Sequence, residues 1–228
     1  MSADIQLNNQ GIAYPDGNIV THAATYPASG SWTTGDIVLE QTSTTRLSGW
    51  KRITTGSGNV LGTDWVYCSN LISGTAQATT SGTSITFTGI PSWAKRVTAM
   101  LNAVGSSLTS TIQLQVGSGS IQSTGYAGLT SGTSNAPGAT NVPGITSGFA
   151  VIQKGANADT AAGTIVLSLL GSNIWVASGV IYRSATPNSV SYAVSGQVTT
   201  SGALDRINLT TVNGTDTFNA GSINIMWE

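Results

Sequence analysis

Charge is what this sequence has least of. Only 7% of its 228 residues are Asp, Glu, Lys or Arg, against roughly 25% in an ordinary soluble domain, so hydration of its surface falls to Ser, Thr, Asn, Gln and Gly. Eight basic residues stand against nine acidic ones, a net charge of -1, and no basic run exceeds two residues. Binding to nucleic acid or to an anionic membrane draws on clustered Lys and Arg. Neither is expected as a partner.

Cysteine and histidine are almost missing. The single Cys68 excludes an intrachain disulfide. The single histidine, His22, lies in the loop-like "IVTHAATYP", far along the chain from Cys68, and no G-x-S-x-G elbow occurs. A nucleophile, a base and an orienting group are needed together for triad chemistry, so His22 is expected at a surface or an interface. No C-x-x-C, H-x-x-x-H or D-x-D-x-D-G spacing is present, and no metal or other cofactor is expected. Apolar runs never approach the roughly 18 residues of a membrane-spanning helix. The opening "MSADIQLNNQG" has no basic segment leading into an apolar one, so no secretory signal is expected.

What is present is alternation. Short runs with apolar residues at every second position, bounded by Gly, Ser, Asn and Pro, read as half-buried strands: "GDIVLE", "SITFTGI", "TIQLQV", "GTIVLSLL", "SVSYAV", "DRINLT" and "SINIMW". In "TIQLQV", Ile112, Leu114 and Val116 are expected to face the core, with Gln113 and Gln115 facing water or a partner. "RVTAMLNAV", 96 to 104, carries a short helical stripe, but it sits among strands and is read as a strand. Strands spaced near ten residues with turn signals between them predict an all-β chain, an antiparallel β-sandwich of jelly-roll type. The aromatic-rich stretch from Trp32 to Tyr67 gives way to "SGTAQATTSGTS", which suits a connector. The chain is therefore divided into a small N-terminal β and loop module, 1–70, for attachment and oligomerisation, and a C-terminal sandwich, 71–228. Near the end, Asn213-Gly214 is a turn signal, after which "SINIMW" is expected to return as a paired strand with Trp227 packed on the domain or on a neighbouring subunit.

Three phrases, "GWKRITTGSGNVLGTDW" at 49–65, "GIPSWAKRVTAML" at 89–101 and "LDRINLTTVNGTDTFNAGSINIMWE" at 204–228, resemble a module near the ends of bacteriophage tail fibres and tailspikes. The resemblance covers most of residues 30 to 228. It implies a homotrimeric, β-rich virion protein, made in the host bacterial cytoplasm, that attaches the particle to a host-surface glycan or protein and docks to other virion proteins through its N-terminal module. Only about thirty residues precede the matching span, so a short tip, a tail-tip adaptor, or a head fibre or capsid decoration protein also fits. A trimer agrees with the slightly positive mean hydropathy of +0.11, since surplus apolar area buries between subunits at roughly 25 cal/mol per Å².

Against that reading, the candidate sites are few. Two carboxylates among Asp36, Glu40, Asp64, Asp159, Asp205 and Asp216 would have to stand about 5 to 10 Å apart to hydrolyse a glycan; structural roles in turns and ion pairs are expected instead, and no enzyme activity. "TTGSGNVLG" lacks the Lys and following helix of a phosphate loop and is read as a turn. Lys95 and Arg96 are expected on a solvated face or bridging to a neighbouring subunit. Trp50, Trp65, Trp93 and Trp227 are assigned to a subunit interface. The stretch Ser131 to Gly148, too long for a hairpin turn, is assigned to ligand recognition through Asn135 and Asn141, together with the neighbouring Tyr126.

Overall fold

In a computed structural model of the chain, the structure describes residues 6–8, 11–13, 17–40, 49–68, 71–135, 139–142, 144–185 and 187–228. Every regular element among them is a β-strand, and the chain divides into two compact units, Met1–Ile72 and Ser73–Glu228.

The first unit holds β1 (Gln6–Asn8), β2 (Gly11–Ala13), β3 (Ile19–Ala23), β4 (Ile37–Glu40), β5 (Gly49–Arg52) and β6 (Trp65–Tyr67), hydrogen-bonded in that order into one sheet. Its pairs are antiparallel except β3 and β4, which run parallel from Val20↔Ile37 to Ala23↔Glu40. The parallel pair is reached through the long loop 24–36. Val38, Trp50 and Trp65 form the small core. Trp65 is fully buried, Trp50 nearly so, and aromatic edges meet faces at Trp32–Trp65 (5.1 Å) and Trp50–Tyr67 (5.7 Å), a geometry favoured by the ring quadrupoles. Trp50 and Trp65 thus fill their own unit's core and expose almost nothing of themselves, which corrects their assignment to an interface.

In the chain beyond, β7 (Ile72–Ser73) straddles the division. β8 (Gln77–Ala78), β9 (Ser84–Thr88), β10 (Arg96–Ser106), β11 (Ile112–Ser118), β12 (Ser120–Ile121), β13 (Ala127–Ser134), β14 (Ala139–Val142), β15 (Phe149–Ile152), β16 (Thr160–Gly171), β17 (Ile174–Ser184), β18 (Val190–Thr199), β19 (Arg206–Thr211) and β20 (Phe218–Trp227) follow. The larger sheet runs β14-β13-β18-β17-β16-β10-β20, with β8 on β20; the smaller runs β12-β11-β19-β9, with β15 also on β11. All registered pairs in this unit are antiparallel, and inward residues of both sheets share one core cluster, including Val97, Ile112, Leu114, Ile165, Ile181 and Ile207. The unit is β-sandwich-like. Strict alternation decides the inner face: along β17, Trp175, Ala177 and Ile181 are buried while Val176, Ser178, Val180 and Tyr182 are exposed.

Segment 96–104 is strand, as the sequence reading holds, extending to Ser106. It bulges between Leu101 and Val104, where Ala103 has φ 50°. β16 joins β17 through a two-residue loop with Ser172 and Asn173 both at positive φ (48° and 62°). Two left-handed residues in succession match the right-handed twist of the flanking strands.

The Asn213-Gly214 turn forms, with Gly214 at φ 68°, but it joins strands of different sheets. β19 pairs with β11 and β9, whereas β20 pairs with β10. The Asn213 side chain holds the link: its oxygen accepts from the Thr211 hydroxyl and the Thr215 and Asp216 amides, and its amide nitrogen donates to Asp216 at 2.6 Å. β20 ends in close pairing with β10, the amides of Lys95 and Arg96 donating to the Glu228 carbonyl at 2.7 and 3.0 Å. Arg96 forms its ion pair with Glu228 of the same chain, so its partner is intramolecular.

Candidate recognition surfaces

Tyr126 does not face solvent. It is 3% exposed, its ring meets Phe149 edge to face at 5.0 Å, and its hydroxyl accepts the Val116 amide hydrogen at 2.7 Å and lies within 3.0 Å of the Gln122 carbonyl. Burial pushes the phenol up to about 12, the hydrogen bond from Val116 acting the other way. Sequence reading placed it beside a recognition loop; the structure makes it a core pin that ties the segment 119–125, with β12, to β11.

The stretch assigned as one recognition loop is mostly built into the fold. Ala139–Val142 forms β14 and pairs with β13, Ser131 opposite Asn141, so the segment contains a hairpin after all. Further on, Ser147 and Gly148 seal the polar side of β11. Gln113 and Gln115 are 2% and 7% exposed rather than wet. Their amides are satisfied within the chain: Gln113 accepts from the Ser147 hydroxyl at 2.7 Å, and Gln115 donates to the Ser147 carbonyl at 2.9 Å. Gln115 in turn accepts from Asn208 at 3.0 Å, and Asn208 accepts from Thr86 at 2.8 Å. A chain of side-chain hydrogen bonds thus crosses β11, β19 and β9. Satisfied this way, buried amides cost little. Of the three residues proposed for ligand contact, Asn135 is exposed at the end of β13, and Asn141 is placed by its backbone register in β14.

The phrase "GWKRITTGSGNVLGTDW" folds around a buried cation that sequence reasoning missed. Arg52 is fully buried. Its guanidinium donates to the carbonyls of Thr54 (2.5 Å), Gly58 (2.5 Å) and Gly56 (3.1 Å), and stands 5.4 Å from the Trp65 ring centre. Asp64 closes the loop from the other side, accepting from the Thr54 hydroxyl at 2.6 Å and the Val60 amide at 2.9 Å. These bonds, with Arg52 nearby, hold its carboxyl below the usual carboxylate range. Asn59 accepts from the Trp65 indole at 3.1 Å. The sequence offers no advance signal for it beyond the adjacent Lys51 and Arg52.

The six candidate carboxylates are engaged in similar structural work. Asp36 accepts the amides of Ile19 and Thr33; Glu40 accepts the Tyr67 hydroxyl; Asp159 accepts the amides of Gly155 and Ala156; Asp205 accepts the Gly119 amide and the Arg206 guanidinium; Asp216 accepts the Ser110 amide. Lys154, 3% exposed, donates to the Ser106 and Asn157 carbonyls. Desolvation lowers its pKa, Asp159 and Asp216 opposing. Among the described residues, no group of three or more His, Cys, Asp or Glu side chains could hold a metal ion, and no helix is long and apolar enough to cross a membrane.

Among the described residues, two clefts have room for a ligand. In the first unit, a cleft of about 590 Å³ is lined by His22, Tyr26, Pro27, Ser29 and Trp32 among others. His22 is exposed there, and the Trp32 indole donates inward to the Ser29 carbonyl at 3.0 Å. In the second unit, a cleft of about 510 Å³ runs beside β9, lined by Ser73, Gln77, Thr86, Thr88, Phe87 and Trp227. It contains no ionisable side chain. Trp227 and Trp93 both pack partly buried on the core, and the buried Trp227 indole nitrogen has no hydrogen-bond partner among the described residues. Trp227, expected on its own domain or at a subunit interface, packs on its own domain at the wall of this cleft.

Compared with protein-family models, with curated proteins and with solved structures, the chain matches none.

Proposed function

We propose that this chain is a non-enzymatic subunit of a bacteriophage fibre or receptor-binding protein, working as a homotrimer on the virion and attaching the particle to an uncharged host-surface glycan. In this reading the larger unit is a jelly-roll-like recognition domain, and the smaller unit docks to other virion proteins. The resemblance of three phrases to phage tail fibres and tailspikes supports the viral role. The observation that carries the recognition role is the cleft beside β9: hydroxyls of Ser73, Thr86 and Thr88, the Gln77 amide and the partly buried ring of Trp227, without a single charge. Sugars present apolar C–H faces and many neutral hydroxyls, which stack on aromatic rings and exchange hydrogen bonds with such groups. Single sites of this kind bind weakly, and copies on one particle supply avidity. The carboxylates are each held by backbone amides or by hydroxyl and guanidinium partners, which supports binding without turnover.

Purified protein is expected to compete with phage adsorption to the host and to bind that host's surface polysaccharide in titration calorimetry, releasing no reducing sugar. Trp227→Ala should weaken the binding at least tenfold with the fold intact by circular dichroism. Failure of both competition and binding overturns the attachment role. Immunogold labelling on the capsid shell rather than the tail would reassign the chain to head decoration, and sugar release would make it a depolymerase.

A further inference from the structure

The outward face of the larger sheet is neither a conventional solvated surface nor part of either cleft. On β13, β18, β17 and β16 the outward positions carry no Asp, Glu, Lys or Arg. An ordinary surface would place a charge at roughly one position in three or four. Instead Leu129, Leu170, Val176, Val180 and Tyr182 stand 40% to 73% exposed on it, interleaved with small residues. Val180 lies opposite Ala193, Ser178 opposite Ser195, and Leu129 opposite Ser195 from the other side.

We propose that copies of this chain bind one another through this face. The inference rests on the self-association in the proposed function but not on its viral role. Three observations select a second copy as the occupant. A surface without charge offers nothing for a different partner to recognise by electrostatic complementarity. It does suit contact with itself, because residues beside the axis of a two-fold or cyclic assembly meet their own copies, where a charge would meet its own sign. The extent is also right: these four strands, of eight to twelve residues at about 3.3 Å per residue and about 4.8 Å apart, span roughly 650 Å², within the range each partner contributes to a standard-size interface. Finally, Ser, Ala and Thr between the larger apolar groups keep the face low, so a second sheet can approach to about 10 Å.

The test is sedimentation velocity and light scattering on the full chain at micromolar concentration, comparing wild type with Val180→Lys, Ser178→Lys and Leu108→Lys. Ser178 is already exposed and polar, so its substitution leaves folding unaffected even if Val180→Lys does not fold. Leu108 is 55% exposed but lies outside this face. The expected result is an oligomeric wild type, at least a tenfold rise in dissociation constant for the Val180 and Ser178 variants with unchanged circular dichroism, and no change for Leu108→Lys. An oligomer indifferent to both face variants overturns the assignment of this face alone. A monomeric wild type overturns self-association as well. Loss of glycan binding with the oligomer intact bears only on the cleft.

Discussion

The phenolic oxygen of Tyr126 accepts the amide hydrogen of Val116 at 2.7 Å across ten residues of chain, inside the core of the larger unit. That bond anchors the connection leaving β11. Without it, a buried amide of β11 would lose its partner.

Tyr126→Phe keeps the ring against Phe149 and removes only the hydroxyl. Leaving a buried N–H unpaired costs about 1–3 kcal/mol, so a lower urea midpoint at unchanged slope is expected. An unchanged midpoint would show that the hydroxyl is not holding the connection.

Alkaline stability should follow the same group. Tyr126 titrates near 10 in the unfolded chain and at about 12 in the folded one, so between those values the folded state holds the proton that the unfolded state has lost. The stabilisation is complete below pH 10 and disappears as pH rises through about 12. Unfolding monitored from pH 9 to 12 should show a steeper loss for wild type than for Tyr126→Phe.

Arg52 is predicted to be irreplaceable by Lys. An ammonium group cannot reach three carbonyls in a planar fork or stack on Trp65 in the same way, and removing a buried charged partner typically costs about 3–5 kcal/mol. Hydrogen exchange of residues 53–62 is expected to accelerate in both Arg52→Lys and Arg52→Ala, with the amides of β10, β16 and β17 protected as before.

Gly221 should reject even alanine. Its φ is +88°, and a Cβ there would lie 2.3 Å from the Ala103 carbonyl oxygen, where β10 bulges. Backbone cannot yield cheaply at that contact, so Gly221→Ala is expected to lower the melting temperature by at least ten degrees. Gly214→Ala, strained at φ 68° but with nothing within 4 Å of the added atom, should cost only about 1 kcal/mol.

Local pattern and tertiary structure divide the explanation of this chain between them. The alternation in "TIQLQV" or "SVSYAV" is enough to place strands, because a period of two admits one buried face whatever lies across from it. The turn at Asn213-Gly214 is legible for the same local reason: glycine tolerates the left-handed backbone. Which strands the turn joins is not local, and here it carries the chain from one sheet to the other. Gln113 and Gln115 look wet in sequence and are buried, because residues some thirty positions later fold back and satisfy their amides. Arg52 looks like surface charge and is a core residue, because three carbonyls of its own loop converge on it. Tyr126 looks like a binding residue and is a pin. What composition and periodicity alone determine is an all-β, nearly uncharged chain; which polar groups end up inside, and which apolar face stays outside, depends on partners distant in sequence that only the folded chain brings within hydrogen-bonding range.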